Sequence, residues 1–244
     1  MTSRKESSVI RLGAYAGISI PILFTILVII ESSLRPGYSQ ISDEISLLGV
    51  GSYQQIQNFN FIVSGILSLV FAFGLTRAIN ENSLHKKRRL LGALILFGFG
   101  IIVAGVSLLL ASPYPESSSI AIHFYYIHTI FSLFAFVSAI FAQFLTWRAL
   151  TVVKNIQNWK SFRTFSLISG IISVALLILF LVTSSSTFDG LTERLFAAVV
   201  LLWIELGGIK LLNLTRKNTL PAANNYSLSN FVMEPRLLLS GQIK

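Results

Sequence analysis

The chain has 244 residues, of which 53% are apolar and only 12% are charged. An ordinary soluble domain is about a quarter charged, so this composition excludes a soluble enzyme. The formal net charge of +9 could indicate a nucleic-acid partner. The basic residues, however, lie between long apolar runs, where they are explained by membrane orientation. We therefore expect no nucleic-acid partner, and the absence of cysteine excludes disulfides and thiolate metal sites.

Uncharged apolar runs long enough to cross a hydrocarbon core of roughly 30 Å recur along the chain. The first run is too long for the apolar part of a signal peptide and ends without a small-residue cleavage site, so we interpret it as a retained span. The predicted spans lie at about residues 12–30, 59–79, 90–111, 120–147, 163–184 and 194–213. The predicted fold class is therefore all-α: a six-helix membrane domain over residues 1–214, followed by a cytoplasmic tail over residues 215–244.

The basic residues are distributed unevenly between the two sides of this predicted bundle. Six spans place 17 of the 19 Lys and Arg residues on the side that holds both termini. Because loops that stay in the cytoplasm keep an excess of Lys and Arg, we expect a multi-pass plasma-membrane protein with both termini in the cytoplasm. The two exceptions, Arg35 and Arg194, are predicted on the outer side.

The first two spans are joined by a polar segment, RPGYSQISDEISLLG, which we call the insert (Arg35–Gly49). Pro and Gly near its start should end the preceding helix, and Ser39 can act as an N-cap. Its apolar residues recur at helical spacing, and its acids fall near the amino end of the helix, where the helix dipole favours negative charge. We predict a short interfacial helix over Gln40–Leu48, with Gln40 and Glu44 toward water and an apolar stripe toward the bundle, namely Tyr38, Ile41, Ile45 and Leu48.

The insert, the NFN at Asn58–Asn60 and the GLTER at Gly190–Arg194 together resemble the membrane family called domain of unknown function 998. The resemblance covers about residues 10–214 and implies the same fold and orientation; the tail lies outside it. That family has no established activity to transfer. The positions that the resemblance marks as candidates are Arg35, Tyr38, Ser42, Ser46, Gly49, Asn60, Glu193 and Arg194.

A candidate binding cluster follows from the charges predicted on the outer side. A partly buried guanidinium is costly unless its donors are paired, so Arg35 and Arg194 should each have carboxylate or carbonyl partners. We predict that Arg194 reaches an acid or a carbonyl of the insert or of the fourth span. The two arginines together could also form a fork suited to phosphate or carboxylate. The acids predicted on that side include Asp43, Glu44, Asp189 and Glu193.

Two histidines, His123 and His128, are predicted near the outer end of the fourth span. Five residues of helix separate them, which turns them to different faces, so we expect neither a metal nor a haem and predict no cofactor. One of them could act as a general base if a carboxylate oriented it. The predicted spans hold two further candidate polar groups, Gln143 and Glu205, which lie at similar depth and could pair or form part of an ion pathway.

These observations predict a non-catalytic integral membrane protein, a module that binds a lipid or ligand or associates with a complex through its outward polar cluster. Its expected partners are the bilayer and either a lipid headgroup or another membrane protein. The alternative is a membrane-embedded enzyme that acts on lipids, and a small transporter is the third hypothesis. No nucleophile motif such as Gly-x-Ser-x-Gly accompanies the histidines, which weighs against the enzyme.

Overall fold

A computed structural model describes residues 2–81, 83, 87–153, 156–183 and 187–219. Six helices in this part of the chain are long and apolar enough to cross a membrane, and the fold is all-α as predicted. The helices are α1 (Thr2–Leu34), α2 (Gln54–Glu81), α3 (Arg88–Ala111), α4 (Ser119–Leu150), α5 (Ile156–Thr183) and α6 (Asp189–Thr219). The fifth predicted span ends one residue beyond α5, at residue 184, and most of the predicted tail also lies outside the described residues.

The six helices form a closed ring in chain order. Each helix packs against its neighbours in sequence, and α1 closes the ring against α6. The insert covers one end of this ring, which we call the insert end, and contacts α1, α2, α3 and α6. A ring of six antiparallel helices that is covered at one end can enclose a cavity along its axis.

Helices α1 and α2 cross closely at a pair of glycines. Gly13 and Gly74 face each other there, and a Cβ atom added to Gly13 would lie only 2.6 Å from the Cα atom of Gly74. Without side chains at these two positions the backbones can approach closely, which is how helices associate in lipid.

Aromatic side chains fill the half of the ring away from the insert. Phe71 packs edge-on against Trp203 with ring centroids 6.1 Å apart, and Phe162 stacks on Trp203 with ring centroids 6.2 Å apart. The indole nitrogen of Trp203 donates to the Ser166 hydroxyl over 3.0 Å, so this buried polar group is paired. This aromatic layer closes the interior of the ring from that side.

The insert is not the helix that its sequence pattern predicts. Residues 39–43 form a hydrogen-bonded turn, Glu44 is extended, and only Ile45–Gly49 are helical, as a short 3₁₀ segment. Ser39 does cap locally, since its hydroxyl accepts from the backbone N–H groups of Ile41 and Ser42, both at 3.3 Å. The prediction of a continuous helix over Gln40–Leu48 was therefore wrong.

Tertiary hydrogen bonds explain this conformation. In an α-helix the Ile45 N–H would donate to the Ile41 carbonyl. Instead, the Ile41 carbonyl accepts from the Leu191 N–H at 2.9 Å, and the Ile45 N–H donates to Glu193 Oε2 at 2.5 Å. The start of α6 therefore binds both groups of the insert. In return, the Ile41 carbonyl accepts from one of the first N–H groups of α6, which have no partner within the helix.

The predicted orientation of the insert side chains was right for some residues and wrong for others. Ile45 and Leu48 are buried, and Gln40 is exposed, as predicted. Ile41, expected to face the bundle, has 52% of its surface exposed because its backbone is held by α6 instead of by a helical turn. Glu44, expected to face water, is only partly exposed and points into the ring.

Candidate functional site

Arg194 in the second turn of α6 binds the insert to the ring through hydrogen bonds. Its Nε donates to Gln40 Oε1 at 2.7 Å. Its Nη1 donates to the carbonyls of Asp43 at 2.7 Å and Gly190 at 2.8 Å, and its Nη2 donates to the Tyr38 hydroxyl. The prediction that Arg194 reaches a carbonyl of the insert is confirmed, and each of its three nitrogens has an acceptor within the protein.

Arg35 holds a different part of the insert. Its Nη1 donates to the Leu47 carbonyl, so it secures the 3₁₀ segment while Arg194 secures the turn before it. The two arginines therefore serve separate contacts, and four of the five N–H donors of Arg194 are bound within the protein. No contact joins the two arginines among the described residues, so the phosphate fork considered from the sequence stays a prediction.

Tyr38 links Arg194 to the backbone of the insert. Its hydroxyl donates to the Glu44 carbonyl at 2.9 Å and accepts from Arg194. Burial raises the pKa of Tyr38 to about 12, although the charge of Arg194 opposes this shift. The phenol therefore stays protonated at physiological pH and keeps both hydrogen bonds.

Asp43 organises the turn from within. One carboxylate oxygen accepts from the Ser39 N–H at 2.8 Å, and the other accepts from the Ser42 hydroxyl at 3.0 Å. These bonds fix the turn that presents the Asp43 carbonyl to Arg194. Asp43 and Ser42 are therefore structural parts of the insert, and neither lines the interior of the ring.

Three further acids gather beneath the insert, where it meets α6. Glu193 and Asp189 are buried, with 7% and 8% of their surfaces exposed. Glu44 lies close enough to both that their charges interact. Burial is the main cause that raises the pKa of Glu44; the Ser46 hydroxyl opposes the shift and Asp189 reinforces it.

A cavity of about 300 Å³ lies inside the ring, directly under these acids. Its wall is mainly apolar, with contributions from all six helices, and the insert forms its roof through Glu44, Ile45 and Ser46. Along α6 it extends from Glu193 to Ile204, which corresponds to roughly 16 Å at the helical rise per residue. Its volume is at the lower end of the range for small-molecule sites, roughly 300–1,000 Å³.

One side of this cavity reaches the outer surface of the ring between α4 and α5. Leu133 on α4 and Leu181 on α5 both line the cavity, yet they are 40% and 52% exposed. Thr129, one turn before Leu133, is also exposed and lines the cavity. The interior is therefore accessible from the side of the bundle, through an opening bordered by two leucines and a threonine.

The hydroxyl groups of the cavity wall all donate to acceptors within the protein. Ser68 donates to the Ser64 carbonyl at 2.7 Å, and Thr129 donates to the Tyr125 carbonyl at 3.0 Å. The other three acceptors are Glu44 Oε2 for Ser46, Asn60 Oδ1 for Ser64 and His128 Nε2 for Ser132. Each hydroxyl has one proton, so these five groups offer the cavity only acceptor lone pairs.

His128 also lines the cavity, but not as an oriented general base. Its Nδ1 donates to the Ala104 carbonyl at 2.9 Å, which leaves Nε2 as the acceptor nitrogen of a neutral ring. A backbone carbonyl thus stands where the general-base hypothesis requires a carboxylate. His123 is exposed and donates to the Ser119 carbonyl one turn earlier, at 2.5 Å.

The two intramembrane candidates do not form the predicted pair. Gln143 is fully buried on α4, and neither its amide nitrogen nor its oxygen has a hydrogen-bond partner among the described residues. Glu205 is partly exposed on α6, and neither residue lines the cavity. Within the same residues, no group of three or more His, Asp or Glu side chains could hold a metal ion.

The sequence analysis identified the residues of the insert and of α6, but it missed the cavity wall. Its interior polar residues, such as Ser64 with Ser68 and His128 with Ser132, are spaced four apart and therefore share a helix face. This four-residue spacing is the sequence pattern that could have indicated the cavity wall. Spacing alone cannot distinguish a cavity wall from a close helix contact, because small polar residues serve both.

Comparison with known proteins gives a family and no activity. The family model described as "Protein of unknown function (DUF998)" matches residues 18–209. No curated protein matches the chain. No solved structure matches it either.

Proposed function

The chain belongs to the DUF998 family, and we propose that it is a non-catalytic membrane protein that holds the hydrocarbon chain of a membrane lipid inside its helix ring. The observation that carries this proposal is the apolar cavity of about 300 Å³ with its opening between α4 and α5. A hydrocarbon chain gains about 0.8 kcal/mol per buried methylene when it leaves water. A lipid already in the bilayer gains much less, so contacts at the polar end must supply the selectivity.

The geometry supports entry from one leaflet. The cavity is closed by the aromatic layer around Trp203 and roofed by the insert, so its roughly 16 Å length covers about half of a hydrocarbon core. A lipid that enters between Leu133 and Leu181 would place its polar end near the insert and its chain toward Ile204. Such an occupant belongs to the leaflet that faces the insert.

We infer that this leaflet is the outer one and that both termini are cytoplasmic, in the plasma membrane. The one-sided distribution of Lys and Arg supports this orientation. Single cysteines introduced at Ser83 and Ser117 test it, because the chain has no cysteine of its own. An impermeant reagent added to intact cells should label Ser117→Cys and not Ser83→Cys; the reverse pattern would invert the orientation.

The test of lipid binding fills the cavity. Ala197 on α6 lines it, and Ala198 beside it is exposed on the outer surface of the ring. Ala197→Phe should lower the amount of lipid that co-purifies with the protein by ~10-fold or more, since the added ring takes space that the lipid chain needs, and an overpacked site costs about 1–3 kcal/mol. Ala198→Phe adds the same ring outside the cavity and should leave the amount unchanged.

Lipid retention is measured by native mass spectrometry after purification in mild detergent, with thermal unfolding as the check that both variants are folded. Equal lipid retention by the two folded variants would contradict the proposal. A stoichiometric protein partner that co-purifies with lipid-free protein would instead support the role in a membrane complex.

A further inference from the structure

The polar end of the cavity has a chemical bias that limits which lipids fit. Glu193 is 93% buried, and it lines the cavity close to the roof. Its Oε2 accepts from the Ile45 N–H, and its Oε1 has no hydrogen-bond partner among the described residues. Because Glu193 lines the cavity, this unpaired carboxyl oxygen is within reach of a hydrogen-bond donor on an occupant.

The rest of the polar lining points the same way. Glu44 adds a second carboxyl, the acceptor nitrogen of His128 is already bound to Ser132, and the five wall hydroxyls have already used their protons. No Lys or Arg is among the described residues that line the cavity. Arg194 follows Glu193 in sequence but does not line the cavity, and four of its N–H donors are bound to the insert and to its own helix.

From this lining, and on the basis of the proposed function, we propose that the occupant is an amphiphile whose buried polar end donates hydrogen bonds, a protonated amine or a hydroxyl, and carries no phosphate. An ammonium group offers three donors and a positive charge to Glu193 and Glu44, whereas a hydroxyl offers one donor. A phosphate brings negative charge and acceptors to a surface that already has both. The order of affinity should therefore be amine, then alcohol, then phosphate.

The probes are a long-chain amine, the corresponding alcohol and the corresponding alkyl phosphate, all with the same saturated chain. Binding to the full-length protein in uncharged nanodiscs is measured at pH 7 by equilibrium partitioning, with empty nanodiscs subtracted. The amine should bind at least ~10-fold more tightly than the phosphate, as expected for a charge-assisted hydrogen bond. Equal or tighter binding of the phosphate would overturn the inference and leave the proposed function standing.

The variant that tests the contact is Glu193→Gln. The amide can still accept from Ile45 N–H, while its NH₂ group turns the free position from an acceptor into a donor. Amine affinity should fall by ~10-fold and phosphate affinity should rise, because the charge is lost and a donor is gained. A merely structural role would lower the affinity for all three probes together, and that result would count against the inference.

Two further variants complete the test. Glu205→Gln makes the same substitution on α6 away from the cavity, and it should bind all three probes as the unmodified protein does. If Glu193→Gln does not fold, Glu44→Gln at the roof tests the same inference. This variant should also bind the amine more weakly than the unmodified protein does. If none of the three probes binds the unmodified protein, the proposed function fails together with this inference.

Discussion

At the scale of single residues, the main polar contact between insert and ring is made by Arg194. It makes four hydrogen bonds, three of them to the insert, whereas Arg35 makes one to the Leu47 carbonyl. Arginine suits this position because its planar fork can reach several acceptors at once, which a lysine ammonium on a flexible stem cannot.

Replacing each arginine by lysine tests this difference. Arg194→Lys should lower the free energy of unfolding by about 2–3 kcal/mol, because most of its hydrogen bonds are lost at about 1 kcal/mol each. Arg35→Lys should cost about 1 kcal/mol or less, since one ammonium can replace one donor. Thermal unfolding of both variants in the same detergent provides the measurement, and an equal loss of stability would show that Arg194 is not the principal contact.

At the scale of elements, the insert and the first turn of α6 fold as one unit. Ile41 and Ile45 give their backbone hydrogen bonds to Leu191 and Glu193 instead of to each other. This close approach needs a residue without a side chain at Gly190, where an added Cβ atom would lie 2.2 Å from the Asp43 carbonyl oxygen. The glycine of the GLTER segment is thus explained by contact with the insert.

Gly190→Ala should therefore displace the insert and lower the free energy of unfolding by about 2 kcal/mol or more, as an overpacked contact does. The control is Gly92→Ala in α3, where an added Cβ atom meets nothing within 4 Å. Alanine favours helix by up to about 1 kcal/mol over glycine, so this variant should be as stable as the unmodified protein or slightly more so. Similar thermal unfolding of the two variants would refute the contact at Gly190.

The elements also show where sequence reasoning succeeds. Long apolar runs are sufficient to predict the six helices, because a span must satisfy its backbone hydrogen bonds internally. The insert is different: its spacing of Tyr38, Ile41, Ile45 and Leu48 fits a helix, yet tertiary acceptors and donors on α6 decide its conformation. Those partners lie some 150 residues further along the chain, and local periodicity carries no information about them.

At the scale of the whole molecule, the cavity exists because α1 closes the ring against α6. This contact joins the two ends of the bundle in sequence, and the cavity wall draws on every helix. Composition and spacing predicted an outward polar cluster, and part of it does meet the cavity through Glu44, Glu193 and His128. The cavity itself depends on how six helices pack together, which a pattern along one helix does not record.

The central claim, that a lipid chain occupies the interior of the ring, is tested most directly by photo-crosslinking in nanodiscs. A lipid with a photoactivatable group in its chain is irradiated with the full-length protein, and the modified residues are mapped by mass spectrometry. The account predicts labelling of Phe97 and Ala135, which line the cavity and are buried from the bilayer at 6% and 1% exposure. Labelling confined to outward-facing residues such as Ile171 and Val182, 56% and 77% exposed, would contradict it.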